Sequence, residues 1–304
     1  MEHSGPSGMG VYRGGGLYGG GGAVVSAIGE NARSWRQLAC KGGQIPGKRS
    51  GAASVMVGTR LYIFGGYGGS GRLDDFYCYD LDEKTWQRIE SRGDAPGARE
   101  NNGLVEHAGC LYLFGGYNGS TWLNDFHEFN LASGVWRAVP PNQFVPSARF
   151  GYVSVVYAHF FVLFGGYDGA TWLNDMYQLD FRTMLWSHVH ASGSIPSIRS
   201  CPSWTLSTDG ATAYVFGGYD GVQRMNDFFQ CDLATYTWSV VPASGGSAVP
   251  SPRYFHACAA YGRSLFVFGG YNGSERLNDM YEYGFDTQHW REVRPTPLAT
   301  RTDN

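Results

Sequence analysis

Apolar and polar residues in this chain form short strand-like runs, and the runs themselves recur. Leu61-Tyr62-Ile63-Phe64, closed by Gly65-Gly66-Tyr67, returns at Leu111–Tyr117, Phe161–Tyr167, Ala213–Tyr219 and Leu265–Tyr271, at intervals of 50, 50, 52 and 52 residues. A second marker holds the same phase: Trp86, Trp136, Trp186, Trp238 and Trp290 each lie 21 residues after the first glycine of their pair. A single-core domain has no reason to keep that spacing five times, whereas stacked repeats of this length do.

Each repeat predicts four strands, over 51–57, 61–66, 75–81 and 85–90 in the first full copy. The second strand is apolar on both faces, as a strand sandwiched between neighbouring sheets must be. The third follows a repeated aspartate with aromatic or apolar residues, such as Phe76-Tyr77 and Met280-Tyr281. The fourth carries the Trp, whose area suits a wedge between sheets. The glycine pair marks a turn or a close backbone approach that a Cβ would obstruct. Gly14 also lies 21 residues before Trp35, so a degenerate first repeat is predicted, with Val11-Tyr12-Arg13, 23–28 and 34–38 as its strands. The expected organisation is a glycine-rich leader over 1–22 overlapping that repeat, a repeat array over 10–294, and a tail over 295–304.

From about Arg49 to Val293, and more weakly from Gly14, these motifs resemble kelch repeats. The loop form F-G-G-Y-[DNG]-G-x-x-x-[LM]-[ND]-D is most similar to the kelch part of the leucine-zipper-like transcriptional regulator group. The resemblance implies an all-β, six-bladed kelch-type β-propeller of four-stranded antiparallel blades, with the first or last blade degenerate or incompletely closed. It also implies a protein or peptide partner, and a role as scaffold or as substrate recognition for a ubiquitin ligase. Fold alone does not assign function.

Composition narrows the field. With 43% hydrophobic and only 16% charged residues, the chain can bury a core and is not a solvated, disordered one. A net charge of −3 argues against non-specific nucleic-acid or anionic-membrane binding. No apolar run has the length of a membrane helix. The six cysteines form no C-x-x-C pair and read as reduced core thiols, so a cytoplasmic, monomeric protein is expected. The sequence contains no P-loop, dinucleotide fingerprint, G-x-S-x-G or H-E-x-x-H, and no cofactor or metal is expected. His188-x-His190 puts two imidazoles on one strand face without a third ligand. The alternative to a non-catalytic binding module is a galactose-oxidase-like or sugar-processing propeller enzyme.

In an up-and-down blade, the connections from strand two to three and from strand four to one share a face and are the longer ones, so binding residues are sought there. The third variable position of the first loop set reads Arg72, Trp122, Trp172, Arg224 and Arg276, and Trp and Arg dominate interface hot spots. A second variable set follows each repeated arginine and includes Glu100, Phe150 and Tyr254. These eight are the candidate partner-binding residues. Arg49, Arg99, Arg149, Arg199 and Arg253 match Asp75, Asp125, Asp175, Asp227 and Asp279 in number and phase, which points to structural pairs. The loop 242–250, two residues longer than its counterparts, is expected to form a mobile rim.

Overall fold

A computed structural model describes residues 23–28, 32–38, 40–142, 144–246 and 248–294. Every element among them is a strand. Strands β1 (Ala23–Ile28) and β2 (Ala32–Gln37) form an antiparallel hairpin. Five further sheets follow in chain order. Sheet 1 consists of β3 (Ala53–Val57), β4 (Arg60–Phe64), β5 (Phe76–Asp80) and β6 (Thr85–Ile89). Sheet 2 consists of β7 (Gly103–His107), β8 (Cys110–Tyr117), β9 (Trp122–Asn130) and β10 (Val135–Val139). Sheet 3 consists of β11 (Val153–Tyr157), β12 (Phe160–Tyr167), β13 (Trp172–Asp180) and β14 (Leu185–His188). Sheet 4 gains a short parallel strand, β15 (Ser192–Gly193), beside β16 (Ser203–Leu206), β17 (Thr212–Tyr219), β18 (Arg224–Asp232) and β19 (Thr237–Val240). Sheet 5 consists of β20 (Ala257–Tyr261), β21 (Ser264–Tyr271), β22 (Arg276–Gly284) and β23 (His289–Glu292).

The blade count is therefore five, not six. The degenerate repeat supplies a hairpin at the predicted third and fourth strands, and Val11-Tyr12-Arg13 lies outside the described residues. Three residues in a glycine-rich stretch hold too little apolar side chain to replace a doubly buried second strand. Sheets 1 to 3 belong to a compact unit of Gly42–His190 with Ser197–Ser200, and sheets 4 and 5 to a second unit.

Within each unit the Trp of one sheet packs on the sheet before it. Trp136 lies 5.7 Å from Phe64 and 5.5 Å from Phe76, ring centre to ring centre, while Trp290 lies 5.3 Å from Phe216 and 5.5 Å from Phe228. The repeated arginine forms the polar half of each joint. Arg149, fully buried, clamps Asp175 through Nη1 and Nη2 (2.6 and 3.0 Å) and donates to the Gly165 carbonyl at 3.0 Å. Its own carbonyl accepts the Gly116 N–H of sheet 2 at 2.9 Å. Arg49–Asp75, Arg99–Asp125 and Arg253–Asp279 repeat the clamp, so these four pairs are architecture. Gly115 has φ +57° and Gly116 φ +100°, and a Cβ on either would meet a backbone carbonyl within 2.9 Å, which explains the glycine pair.

A second joint runs along the innermost strands. Asn101 N–H donates to Gly51 C=O (2.7 Å) and Gly151 N–H to Asn101 C=O (2.9 Å), and in the second unit Phe255 N–H donates to Cys201 C=O (3.1 Å). All five residues have left-handed φ between 52° and 63°. The 242–250 loop is held rather than loose: Ser244 N–H bonds Gln288 C=O at 2.7 Å and Ala248 N–H bonds Trp290 C=O at 3.2 Å.

Candidate functional site

The connections from second to third strand are short loops that bond to themselves. Asn118 Oδ1 accepts the N–H groups of Ser120 and Thr121 at 2.9 and 2.8 Å, and Asp168, Asp220 and Asn272 do the same in their loops. The repeat tyrosine donates its hydroxyl to the carbonyl two residues on, for example Tyr67 to Gly69 at 2.7 Å and Tyr219 to Gly221 at 2.6 Å. The variable residue that follows is not in the loop, as the sequence suggests, but opens the third strand. Trp122, Trp172, Arg224 and Arg276 stand opposite Tyr117, Tyr167, Tyr219 and Tyr271 in the strand registers, and Arg72 bridges to Tyr67. The register shift at the glycine pair lets the ladder resume beyond it.

The two variable sets interlock across neighbouring sheets. Arg72 lies over the rings of Tyr67 and Tyr117 (5.1 and 5.0 Å) and its Nη2 reaches Glu100 Oε1 at 2.7 Å. Trp122 packs between Tyr117 (5.0 Å) and Tyr167 (5.7 Å) and covers Gly169, where a Cβ would come within 2.6 Å of its ring. Phe150 lies against the same two tyrosines, at 6.3 and 6.0 Å. Trp172 donates Nε1–H to Ser200 Oγ at 3.2 Å. In the second unit, Arg224 lies over Tyr219 (5.0 Å) and Tyr254 (5.8 Å), beside Gly273. Arg276 is exposed. The tryptophans are thus half-buried against tyrosines rather than standing in solvent, a contact that sequence spacing alone does not show.

Charge distinguishes the two arginine slots. Glu100, almost fully buried, neutralises Arg72, whereas Tyr254 occupies the corresponding place beside Arg224. Among the described residues no carboxylate pairs with Arg224, and its Nε lacks a hydrogen-bond partner. Tyr254 in turn touches Phe255 (4.7 Å), which is 39% exposed and held at φ +56°, a strained setting for a bulky side chain.

Two histidines escaped the sequence reading. His127 takes the place where Tyr77 and Tyr177 lie under Arg49 and Arg149, and its Nε2 is 2.9 Å from Asp125 Oδ2 and its Nδ1 3.0 Å from Asp94 C=O. Burial pushes the Asp125 carboxyl up, but His127 and Arg99 outweigh it and hold the carboxyl well below the usual range. His127 interrupts an otherwise aromatic or apolar series, and that break was the available signal. His256 Nε2 lies 2.7 Å from Ser203 Oγ.

Burial first, and the Arg253 cation second, push the His256 imidazole down to about 3. An unfolded imidazole titrates near ~6.5, so the unfolded chain binds this proton first. The stabilising contribution is therefore complete above about pH 6.5 and is lost as pH falls toward the folded value. Between pH 7.5 and 4.5 the urea midpoint is expected to fall, and to fall less in His256→Gln. Equal falls in both proteins would remove His256 as the cause.

His188 and His190 are exposed, with ring centres 4.8 Å apart, and among the described residues no group of three His, Cys, Asp or Glu side chains could hold a metal ion. A cleft of about 380 Å³ on sheet 4 is lined by Thr212, Gln230, Asp232, Thr235, Thr237 and Ser239 and contains none of the eight candidates. Its one carboxylate is engaged by the Ala234 and Thr235 N–H groups. No helix among the described residues is long and apolar enough to cross a membrane.

Comparison with known proteins gives the family. The chain is 35% identical over 101 residues to the Drosophila melanogaster leucine-zipper-like transcriptional regulator 1 homolog, covering 32% of this chain and 10% of that protein. It is 39% identical over 87 residues to a probable serine/threonine-protein kinase of Dictyostelium discoideum, covering 28% and 6%. It is 41% identical over 68 residues to Kelch domain-containing protein 2 of Bos taurus, covering 22% and 16%. The matched parts are thus small fractions of these relatives. The model of the KLHDC2/KLHL20/DRC7 Kelch-repeats domain matches residues 14–212 and 203–302, and on that coverage, with five sheets of the expected pattern, the chain belongs to the kelch-repeat β-propeller family.

Proposed function

We propose that this chain is a non-catalytic protein-interaction module that binds a protein or peptide partner through the variable residues at its strand-two-to-three connections. The observation that carries this reading is the contrast between Arg72, whose aromatic slot contains its own carboxylate, and Arg224, whose slot contains none. A guanidinium held between two rings loses little conformational freedom when it takes an anion, and desolvated Arg is a frequent hot spot. An acidic group of the partner would do at Arg224 what Glu100 does at Arg72. Trp122, Phe150 and Trp172 in the first unit, and Tyr254 and Arg276 in the second, supply the surrounding contact surface. A cytoplasmic scaffold or substrate-recognition component is the setting this reading fits.

The test is affinity capture from native extract followed by titration of the captured partner. Arg224→Ala should weaken binding by about thirtyfold or more, the scale of a hot-spot residue. Arg72→Ala, once shown to be folded, should have a smaller effect. Equal affinity for the intact chain and for a Trp122→Ala, Trp172→Ala, Arg224→Ala variant would sink the assignment.

A further inference from the structure

Four sheets bond their outer strand to the linker that precedes them, and three of them do so by the same glycine geometry. In sheet 1, Trp86 N–H donates to Gly42 C=O (3.3 Å) and Gln44 N–H to Trp86 C=O (3.2 Å), with Gly43 between. Sheet 2 repeats this with Arg92 and Asp94 around Gly93 (2.8 and 3.0 Å). In sheet 4, Ser192–Gly193 runs parallel to Thr237–Trp238, and Ser194 N–H reaches Trp238 C=O at 2.8 Å. The central residue must be glycine. Gly43, Gly93 and Gly193 have φ of +101°, +78° and +78°, and a Cβ would sit 1.9, 2.2 and 2.2 Å from the tryptophan carbonyl.

Sheet 3 breaks the pattern. Three residues before the linker proline, where the other linkers have Gly43, Gly93 and Gly193, this sequence has Gln143. The described part of the linker turns on itself instead: Phe144 N–H bonds Asn142 C=O at 2.8 Å, and the Phe144 ring packs on Tyr177 at 5.6 Å. Among the described residues, none bonds the N–H or C=O of Trp186 that corresponds to those of Trp136. An edge with unpaired peptide groups is a template for another strand. Leu185 and Phe144, 38% and 46% exposed, flank it.

We propose that β14 is the acceptor edge for an extended segment of a partner protein, which adds parallel to it with a glycine opposite Trp186. The partner residue before the glycine accepts from Trp186 N–H, and the one after donates to Trp186 C=O, as Arg92 and Asp94 do at Trp136. Main-chain bonds supply the affinity of such an added strand, and the carbonyl clash supplies the selection for glycine. The site is separate from Arg224 and does not depend on it.

The chain contains its own probe, the heptapeptide Glu-Ser-Arg-Gly-Asp-Ala-Pro copied from residues 90–96. Residue-resolved amide exchange on the whole protein should show Trp186 N–H exchanging at least about a hundredfold faster than Trp136 N–H, which is bonded. Added heptapeptide should slow Trp186 and leave Trp136 unchanged. The peptide with Gly→Ala should need at least about ten times the concentration for the same protection. The proposal is overturned if Trp186 is already as slow as Trp136 in the peptide-free protein, meaning the chain's own linker closes the edge. It is equally overturned if neither peptide protects Trp186, or if both protect it alike.

Discussion

Arg149→Ala is expected to cost about 3–5 kcal/mol of unfolding free energy, the scale of removing one partner from a buried ion pair. The substitution strips the Asp175 carboxylate of its bidentate partner and leaves the Gly165 carbonyl without its donor. Its side chain is fully buried and Asp175 only partly so, which means water can rehydrate the acid but not refill the arginine's volume at no cost. Arg149→Lys should recover only part of the loss, because an ammonium cannot span both carboxylate oxygens and also the glycine carbonyl in a flat fork. Chemical denaturation of the three proteins measures this; a loss below about 1 kcal/mol for the alanine variant would mean the clamp is no better than a surface ion pair.

Trp136→Ala should lose a similar amount, about 3–5 kcal/mol, by a different mechanism. The indole fills the gap between sheets 1 and 2 against Phe64, Phe76 and Phe129 and is 1% exposed. Its Nε1–H has no hydrogen-bond partner, so polar bonding contributes nothing that phenylalanine would forfeit. Trp136→Phe is therefore expected to cost no more than about half as much, the difference being volume alone. Comparing thermal midpoints of the two variants separates packing from polarity. Equal losses would show that the fused ring's shape, and not merely apolar bulk, sets the joint.

The repeat frame was readable because period, glycine pair and tryptophan are all local signals imposed by the same backbone geometry in every sheet. The Arg–Asp clamp was readable for the same reason: five copies at constant phase demand a structural explanation. Sheet number was misjudged because the 21-residue interval before Trp35 marks a hairpin as well as it marks a complete sheet. The candidate residues were harder. Trp122 and Trp172 were chosen as exposed anchors, but their stacking on Tyr117 and Tyr167 depends on which sheets become neighbours, and no spacing within one repeat encodes that. Likewise Arg72 and Arg224 are the same letter at the same phase; their different electrostatic states are fixed by Glu100 and Tyr254, 28 and 30 positions later.

The joints at Gly116–Arg149 and Gly151–Asn101 have a kinetic meaning as well. All-β chains ordinarily fold slowly because strand partners lie far apart in sequence and loop closure must precede the reward of contact. Here the arginine clamps join residues 26 apart, and the backbone bond between the innermost strands of sheets 2 and 3 joins residues exactly one repeat apart. Measured against 304 residues, those separations resemble the contact order of a helical bundle more than that of a sandwich. Each sheet therefore closes short loops onto the one already formed, and the entropy of a long chain is met in 50-residue steps, not all at once.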